Sequence, residues 1–203
     1  MKFNIREIIM IAIFAVLTAV GAFIKIPIGT IPMTFQLMFT LSAGVLLGAK
    51  LGVWSQLIYI IIGLIGIPVF ANGGGLQYVV QPSFGYMVGF IPAAFLTGML
   101  CEKADRSRSG LNFFNITAAC LAGTAIDYII GITYLYVIMN FYLDLNISIF
   151  KAVAIGTAFF IWKDIVLCFV IGGFASGFLK IVRKTIPAGY LSHVMRIPVR
   201  PAE

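Results

Sequence analysis

The sequence predicts an all-α, polytopic membrane protein: a bundle of about six transmembrane helices with both termini cytoplasmic. Three observations predict it. Of the 203 residues, 61% are hydrophobic and only 10% charged, whereas a soluble domain carries about 25% charged residues. The mean hydropathy is +1.06. The apolar runs suit helical crossings of a bilayer core about 30 Å thick, at about 20 residues each. They are far too long for the strands of a closed barrel, the other structure able to span lipid. Six crossings leave no room for a soluble catalytic domain.

The helices are expected at roughly 8–24, 34–48, 52–67, 84–101, 113–140 and 164–182. The first follows Lys2 and Arg6 and is too long for a secretory h-region. No small-residue cleavage site precedes a soluble mature chain, so it reads as a retained helix. Breaks fall at Pro27 and Pro32, over Gly48–Gly52, Pro68–Pro82 and Glu102–Gly110, and over Leu143–Lys163. Within the last break, 148–161 is apolar but short. It reads as a re-entrant or interfacial helix, or as the return part of a helix pair. Residues 1–185 form a single transmembrane domain, and 186–203 form a polar, basic tail.

Orientation follows from the basic residues. With the N-terminus in the cytoplasm, the inner side holds Lys2, Arg6, Lys50, Lys103, Arg106, Arg108, Lys180, Arg183, Lys184, Arg196 and Arg200. The outer side holds Lys25, Lys151 and Lys163. The outer segments Pro27–Phe35, Pro68–Tyr86 and Leu143–Asp164 then carry the chemically interesting residues, and a binding site open to the outside follows.

The same patterns exclude several functions. The net charge of +7 flanks apolar runs and suits a lipid bilayer, not nucleic acid. Cys101, Cys120 and Cys168 are widely separated, without disulfide or metal spacing, and His193 is the single histidine. No metal or other cofactor is expected, and Ser/His/Asp hydrolysis is excluded. Gly44–Lys50 fails the phosphate-loop pattern, because three residues separate Gly44 from Gly48 and Lys50 follows Ala49. An ATPase, if one drives transport, is another protein.

Candidate binding residues concentrate outside. The loop Gly66–Tyr86 holds Gly73, Gly74 and Gly75, which permit close backbone approach to a ligand. It also offers the amides of Asn72, Gln77 and Gln81 and the phenols of Tyr78 and Tyr86. Such a loop is either a flexible connector or a ligand lid. Asp164 opens the last helix, where the dipole favours an acid; it can also accept N–H bonds from a neutral ring. Lys163 either snorkels or pairs with a ligand carboxylate. Asp127 lies near the middle of the fifth span, where a lone acid suggests function. It is a ligand contact, or protonated, or bonded to a hydroxyl such as Tyr128 or Thr124. Ala12, Ala15, Ala19 and Ala22 fall within an arc of about 80° on the first helix. That small-residue stripe suits either a partner helix or packing within the chain.

Four segments carry a family resemblance: Ile26–Gln36 (IPIGTIPMTFQ), Ala43–Gly52 (AGVLLGAKLG), Gly63–Ala71 (GLIGIPVFA) and Gln81–Phe90 (QPSFGYMVGF). In order and spacing they resemble the BioY family, the biotin-specific substrate-binding (S) components of energy-coupling factor transporters. The resemblance runs from about residue 8 to 183. It implies a six-helix bundle that binds biotin near the extracellular face and delivers it for import. It implies as partners a transmembrane coupling protein (T component) and two cytoplasmic ABC-type ATPases, and it assigns the alanine stripe to docking. Asn72 and Asp164 match positions that bind the ureido ring, and Tyr86 matches a ligand-facing position. Gly74, Gln81 and Tyr128 complete the candidate set. Many relatives place a lysine three residues after the acid; here that residue is Leu167, and Lys163 is the nearest substitute. The two positions differ by about 40° around a helix. Two rival readings are a self-sufficient secondary vitamin transporter coupled through Asp127, and an intramembrane enzyme using Asp127 and Asp164 as an acid pair, which requires both carboxylates in one cavity.

Overall fold

The computed structural model describes residues 3–26, 31–107, 110–158 and 160–185. The tail 186–203 and residues 27–30 lie outside the described residues. Helix α1 spans Ile5–Phe23. At its start the Glu7 carboxylate accepts the Asn4 backbone N–H at 3.0 Å, half of a capping box. Beyond α1, the two-residue strands β1 (Lys25–Ile26) and β2 (Met33–Thr34) pair antiparallel, with Lys25 opposite Thr34. Phe35 N–H then donates to Gly21 O at 3.0 Å, which tucks the start of the second helix against α1.

Helix α2 covers Gln36–Leu64 but is not a rod. In a straight helix Gln36 and Tyr59 would stand about 35 Å apart, at 1.5 Å per residue. Instead Gln36 Nε2 donates to the Tyr59 hydroxyl at 2.6 Å, and Thr40 Oγ1 donates to Gln56 Oε1 at 3.0 Å. A Cβ on Gly52 would lie 3.3 Å from Gly44 Cα. The chain therefore doubles back at Gly48, whose φ of 80° and ψ of 176° are non-helical and suit glycine. Ala49 N–H, orphaned at the start of the second arm, donates to Glu102 Oε1 at 2.9 Å. The helices expected at 34–48 and 52–67 are the two arms of this hairpin.

Helix α3 spans Phe84–Arg106 and α4 spans Phe113–Val137, continuing through a π turn at Ile138–Tyr142. Among the described residues, five helical segments are long and apolar enough to cross a membrane: α1, α2, α3, α4 with its π turn, and the last helix. The doubling of α2 supplies the sixth passage. α2 packs against α1 and α3, and α3 against α4. A Cβ on Gly98 would lie 2.3 Å from Ala49 N, and one on Gly44 2.7 Å from Ala94 O. Backbones thus meet directly across the α2–α3 seam, as small residues allow in lipid.

Helix α5 (Ile149–Thr157) and helix α6 (Ile161–Thr185) descend beside α4. Ile147 N–H donates to Asn140 Oδ1 at 2.6 Å, a Cβ on Gly156 would lie 2.9 Å from Ile132 Cγ1, and Tyr128 OH donates to Asp164 Oδ2 at 2.7 Å. The successive partners 140, 132 and 128 on α4 show one interrupted passage antiparallel to α4. α5 ends at Thr157 and α6 begins at Ile161. The short apolar segment 148–161 is thus the first part of the last passage, and α6 begins inside the bundle.

The alanine stripe requires a correction. Ala15, Ala19 and Ala22 are buried, and Ala12 alone is exposed. The same face carries Thr18, whose hydroxyl lies 3.4 Å from Gln56 Oε1. That contact, together with the small alanines, draws α1 onto α2. The outward face of α1 is instead an aliphatic ridge of Ile5, Ile9, Ile13, Val16 and Val20.

Candidate binding site

The loops at one end of the bundle are tied together by side chains. Lys25 Nζ donates to Ala71 O and lies 3.3 Å from Asn72 Oδ1. Lys163 Nζ donates to Thr34 O, Tyr86 OH to Gly156 O at 3.0 Å, and Tyr134 OH to Val79 O at 2.5 Å. The three segments expected on the outer side therefore share one end. Phe70 anchors the loop between α2 and α3. Its ring packs against Tyr59 (centroids 5.5 Å apart) and Tyr78 (4.7 Å), and it occupies space left by Gly63, where a Cβ would sit 2.0 Å from Phe70 Cζ.

Under these loops lies a cavity of about 60 Å³. Its walls come from five sources: Thr34 of β2 with Gln36 and Leu37 at the start of α2; Ala71, Tyr78 and Ser83 from the loop; Tyr86, Met87 and Phe90 from α3; Asp127 and Tyr128 from α4; and Phe160, Lys163 and Asp164 around the start of α6. The volume is well below the 300–1,000 Å³ usual for ligand pockets.

The polar groups are ordered by one another. Asp164 Oδ2 accepts from Tyr128 OH at 2.7 Å, and Asp164 Oδ1 lies 2.9 Å from Lys163 Nζ. The latter contact is an ion pair without hydrogen-bond geometry, since Asp164 Oδ1 has no hydrogen-bond donor. The ammonium of Lys163 also stands over the Phe35 ring, 5.5 Å from its centroid. The Tyr86 ring meets Tyr128 edge-on, with centroids 5.8 Å apart. Asp127 is buried, and its Oδ1 has no hydrogen-bond partner. That oxygen lies 2.4 Å from where a Cβ on Gly89 would be, so only glycine at that point of α3 admits the carboxylate. Burial raises the pKa of the Tyr78 phenol above its usual value, so it lines the cavity as a neutral hydroxyl.

Of the residues expected at the site, Asp164, Lys163, Tyr86 and Tyr128 line the cavity together. Asn72, Gly74 and Gln81 do not. Asn72 is exposed and its side chain faces Lys25. Gly74 packs beneath Ile67 O, and its carbonyl accepts from Gln77 Nε2 at 2.7 Å. The Gln81 backbone links the 3₁₀ turn Leu76–Val80 to α3, donating to Tyr78 O and accepting from Phe84 N–H, both at 3.0 Å. Sequence reasoning did not single out Gln36, Met87, Phe90 or Phe160. The first three stand inside the motif segments quoted above, which was the available signal. Phe160 lies in the helix break and had none.

An all-helical bundle that closes interlocked loops over a small cavity with a few fixed polar groups defines a membrane protein built to hold a small solute. The BioY family model matches residues 1–184. The "Probable biotin transporter BioY" of Lysinibacillus sphaericus is 42% identical over 178 residues, covering 88% of this chain and 89% of that one. The "Biotin transporter BioY" of Thermotoga maritima is 38% identical over 162 residues, covering 79% and 88%. The chain belongs to the BioY family, and it is a multi-pass membrane transport protein, not an enzyme. The crystal structure of the S-component for biotin from an ECF-type ABC transporter has the same fold, with a TM-score of 0.74 at 24% identity, covering 89% of this chain and 95% of that one.

Proposed function

We propose that this protein captures biotin in the cavity under the loops, from the outer side of the cytoplasmic membrane, and delivers it for import as the S component of an ECF-type transporter. Both termini are then cytoplasmic. The observation that carries the reading is the cavity itself: Asp164 and Asp127 line it together with the aromatic and thioether side chains of Tyr86, Phe90 and Met87. A neutral ring with N–H donors and an apolar sulfur-containing edge suits such a lining. Among the described cavity-lining residues, Lys163 is the cation placed to meet a ligand carboxylate. Asn72 then reaches the ligand only after the loop moves and its contact with Lys25 opens.

The partners are a transmembrane coupling protein and two cytoplasmic ATPases. The outward ridge of α1, including Ala12, is the face available to the coupling protein, with Ala15, Ala19 and Ala22 committed to α2. The two acids do share a cavity, as an acid-pair enzyme would need. Asp164, however, is already engaged by Tyr128 and Lys163, and transport is the activity of the family. Isothermal titration of the purified protein in detergent tests the reading. Biotin should bind tightly, with no competition from thiamin or riboflavin. A folded protein that takes up no biotin refutes it.

A further inference from the structure

Gln36 lines the cavity, is 5% exposed, and has its amide held at both ends. Thr34 Oγ1 donates to Gln36 Oε1 at 3.0 Å, Gln36 Nε2 donates to the Tyr59 hydroxyl at 2.6 Å, and Tyr59 OH donates to Val69 O at 3.1 Å. The direction of this relay is forced from its far end. A phenol has one proton to give, and the Val69 carbonyl, which can only accept, takes it. Tyr59 can then only accept from Gln36. The amide must therefore turn its NH2 towards Tyr59 and its oxygen towards Thr34. Tyr59 is 1% exposed and stands behind the lining residues, yet it fixes how one of them presents its polar atoms.

The same side chain supports a second wall. Its ring packs against Phe70, with centroids 5.5 Å apart, and its hydroxyl holds the carbonyl of the preceding residue, Val69. Ala71, the residue after Phe70, lines the cavity. Thr34 of β2 and the stretch Val69–Ala71 are thus joined through the interior by Gln36 and Tyr59. At the surface Lys25 joins the same two segments through Ala71 O and Asn72.

The geometry points to Tyr59 as a positioning residue of the binding site: its hydroxyl orients the Gln36 amide and holds the Val69–Ala71 wall, so that a ligand meets both as one preformed unit. The inference rests on the biotin reading and deepens it, and it gives Tyr59 no contact with the ligand. Groups ordered in advance need not be ordered by the ligand, and the loss of that order appears chiefly in the dissociation rate.

The test follows release of radiolabelled biotin from full-length protein in detergent. Tyr59→Phe keeps the ring but leaves the Gln36 N–H and the Val69 carbonyl buried without a partner, so release should quicken about tenfold. Thr34→Val breaks the same relay at its other end and should also quicken release. The double variant should be slower than the product of the two single effects, because either change already breaks the relay. Thr97→Val removes an equally buried hydroxyl, bonded to Ala119 O at 3.3 Å away from the cavity, and should leave the rate unchanged while lowering stability. In ligand-free protein, Tyr59→Phe and Thr34→Val should each speed hydrogen exchange at the Phe70 and Gly73 amides, which bond to each other's carbonyls. Thr34→Val carries this readout alone if Tyr59→Phe does not fold. Release at the parental rate from Tyr59→Phe overturns the assignment. So do single effects that simply multiply, an equal acceleration in Thr97→Val, or exchange at Phe70 and Gly73 that Thr34→Val leaves unchanged. A parent that binds no biotin refutes the functional reading instead, and the exchange measurement then decides the relay by itself.

Discussion

The Lys163–Asp164 pair provides a quantitative test of how the site is held. Asp164→Ala removes the acceptor of the Tyr128 hydroxyl, 2.7 Å away, and the counter-charge of Lys163, 2.9 Å away. The side chains retain 17% and 6% of their exposure, so the pair is mostly desolvated. Breaking such a pair from one side costs about 3–5 kcal/mol. Lys163 keeps Thr34 O and the Phe35 ring, which places the expected loss near the lower bound, about 3 kcal/mol. Lys163→Met leaves Asp164 its Tyr128 hydrogen bond and the α6 N-terminus, an offset of about 0.3–1 kcal/mol, so its cost is smaller. The double variant removes both charges at once. It should be more stable than the sum of the single losses predicts, by about 1–3 kcal/mol. Reversible unfolding of ligand-free protein in mixed micelles measures all four corners of the cycle. Losses that add to within about 0.5 kcal/mol would show that the two groups do not sense each other, and the account of a mutually ordered site would fail.

Two further outcomes follow from the packing. Ala19→Trp should destabilise the isolated protein by about 1–3 kcal/mol through overpacking, whereas Ala12→Trp should change it by less than about 0.5 kcal/mol. Equal melting temperatures for the two variants would mean that the stripe is not an internal seam. Phe70→Ala should cost about 3–5 kcal/mol and speed ligand release, because the ring ties the loop to Tyr59 and Tyr78. An unchanged dissociation rate in stopped flow would separate the loop from the site.

The helices were legible in the sequence because hydropathy in a membrane protein is nearly a direct record of burial in lipid. Phe84 and Phe113 begin helices where the apolar runs begin. Hydropathy cannot tell lipid from protein, and this is where the reading slipped. Alanine is equally suited to both surroundings, so the α1 stripe did not reveal that Thr18 and Gln56 pull it inward. The site was half legible. Charged and phenolic residues at membrane depth, Asp164, Lys163 and Tyr128, have few reasons to be there, and they converged. Asn72 lies on a loop whose conformation is set by distant partners such as Lys25 and Phe70, which no local pattern encodes.

The reversal at Gly48 also decides the parity of the chain. Five straight passages would put the start of α1 and the end of α6 on opposite faces of the bundle; six bring them to the same one. Phe3 accordingly meets Trp54 edge-on, with centroids 5.6 Å apart, next to the turn, and a Cβ on Gly172 of α6 would meet Thr117 and Phe113 at the start of α4. The arms 36–47 and 49–64 reach about 18 and 24 Å, each short of a bilayer core of about 30 Å, so neither is a self-sufficient stop-transfer element. The carboxylate that satisfies the Ala49 N–H at their turn, Glu102, comes from the far end of α3. The two arms and the end of α3 are therefore fixed together, with Gly48 as the fold line.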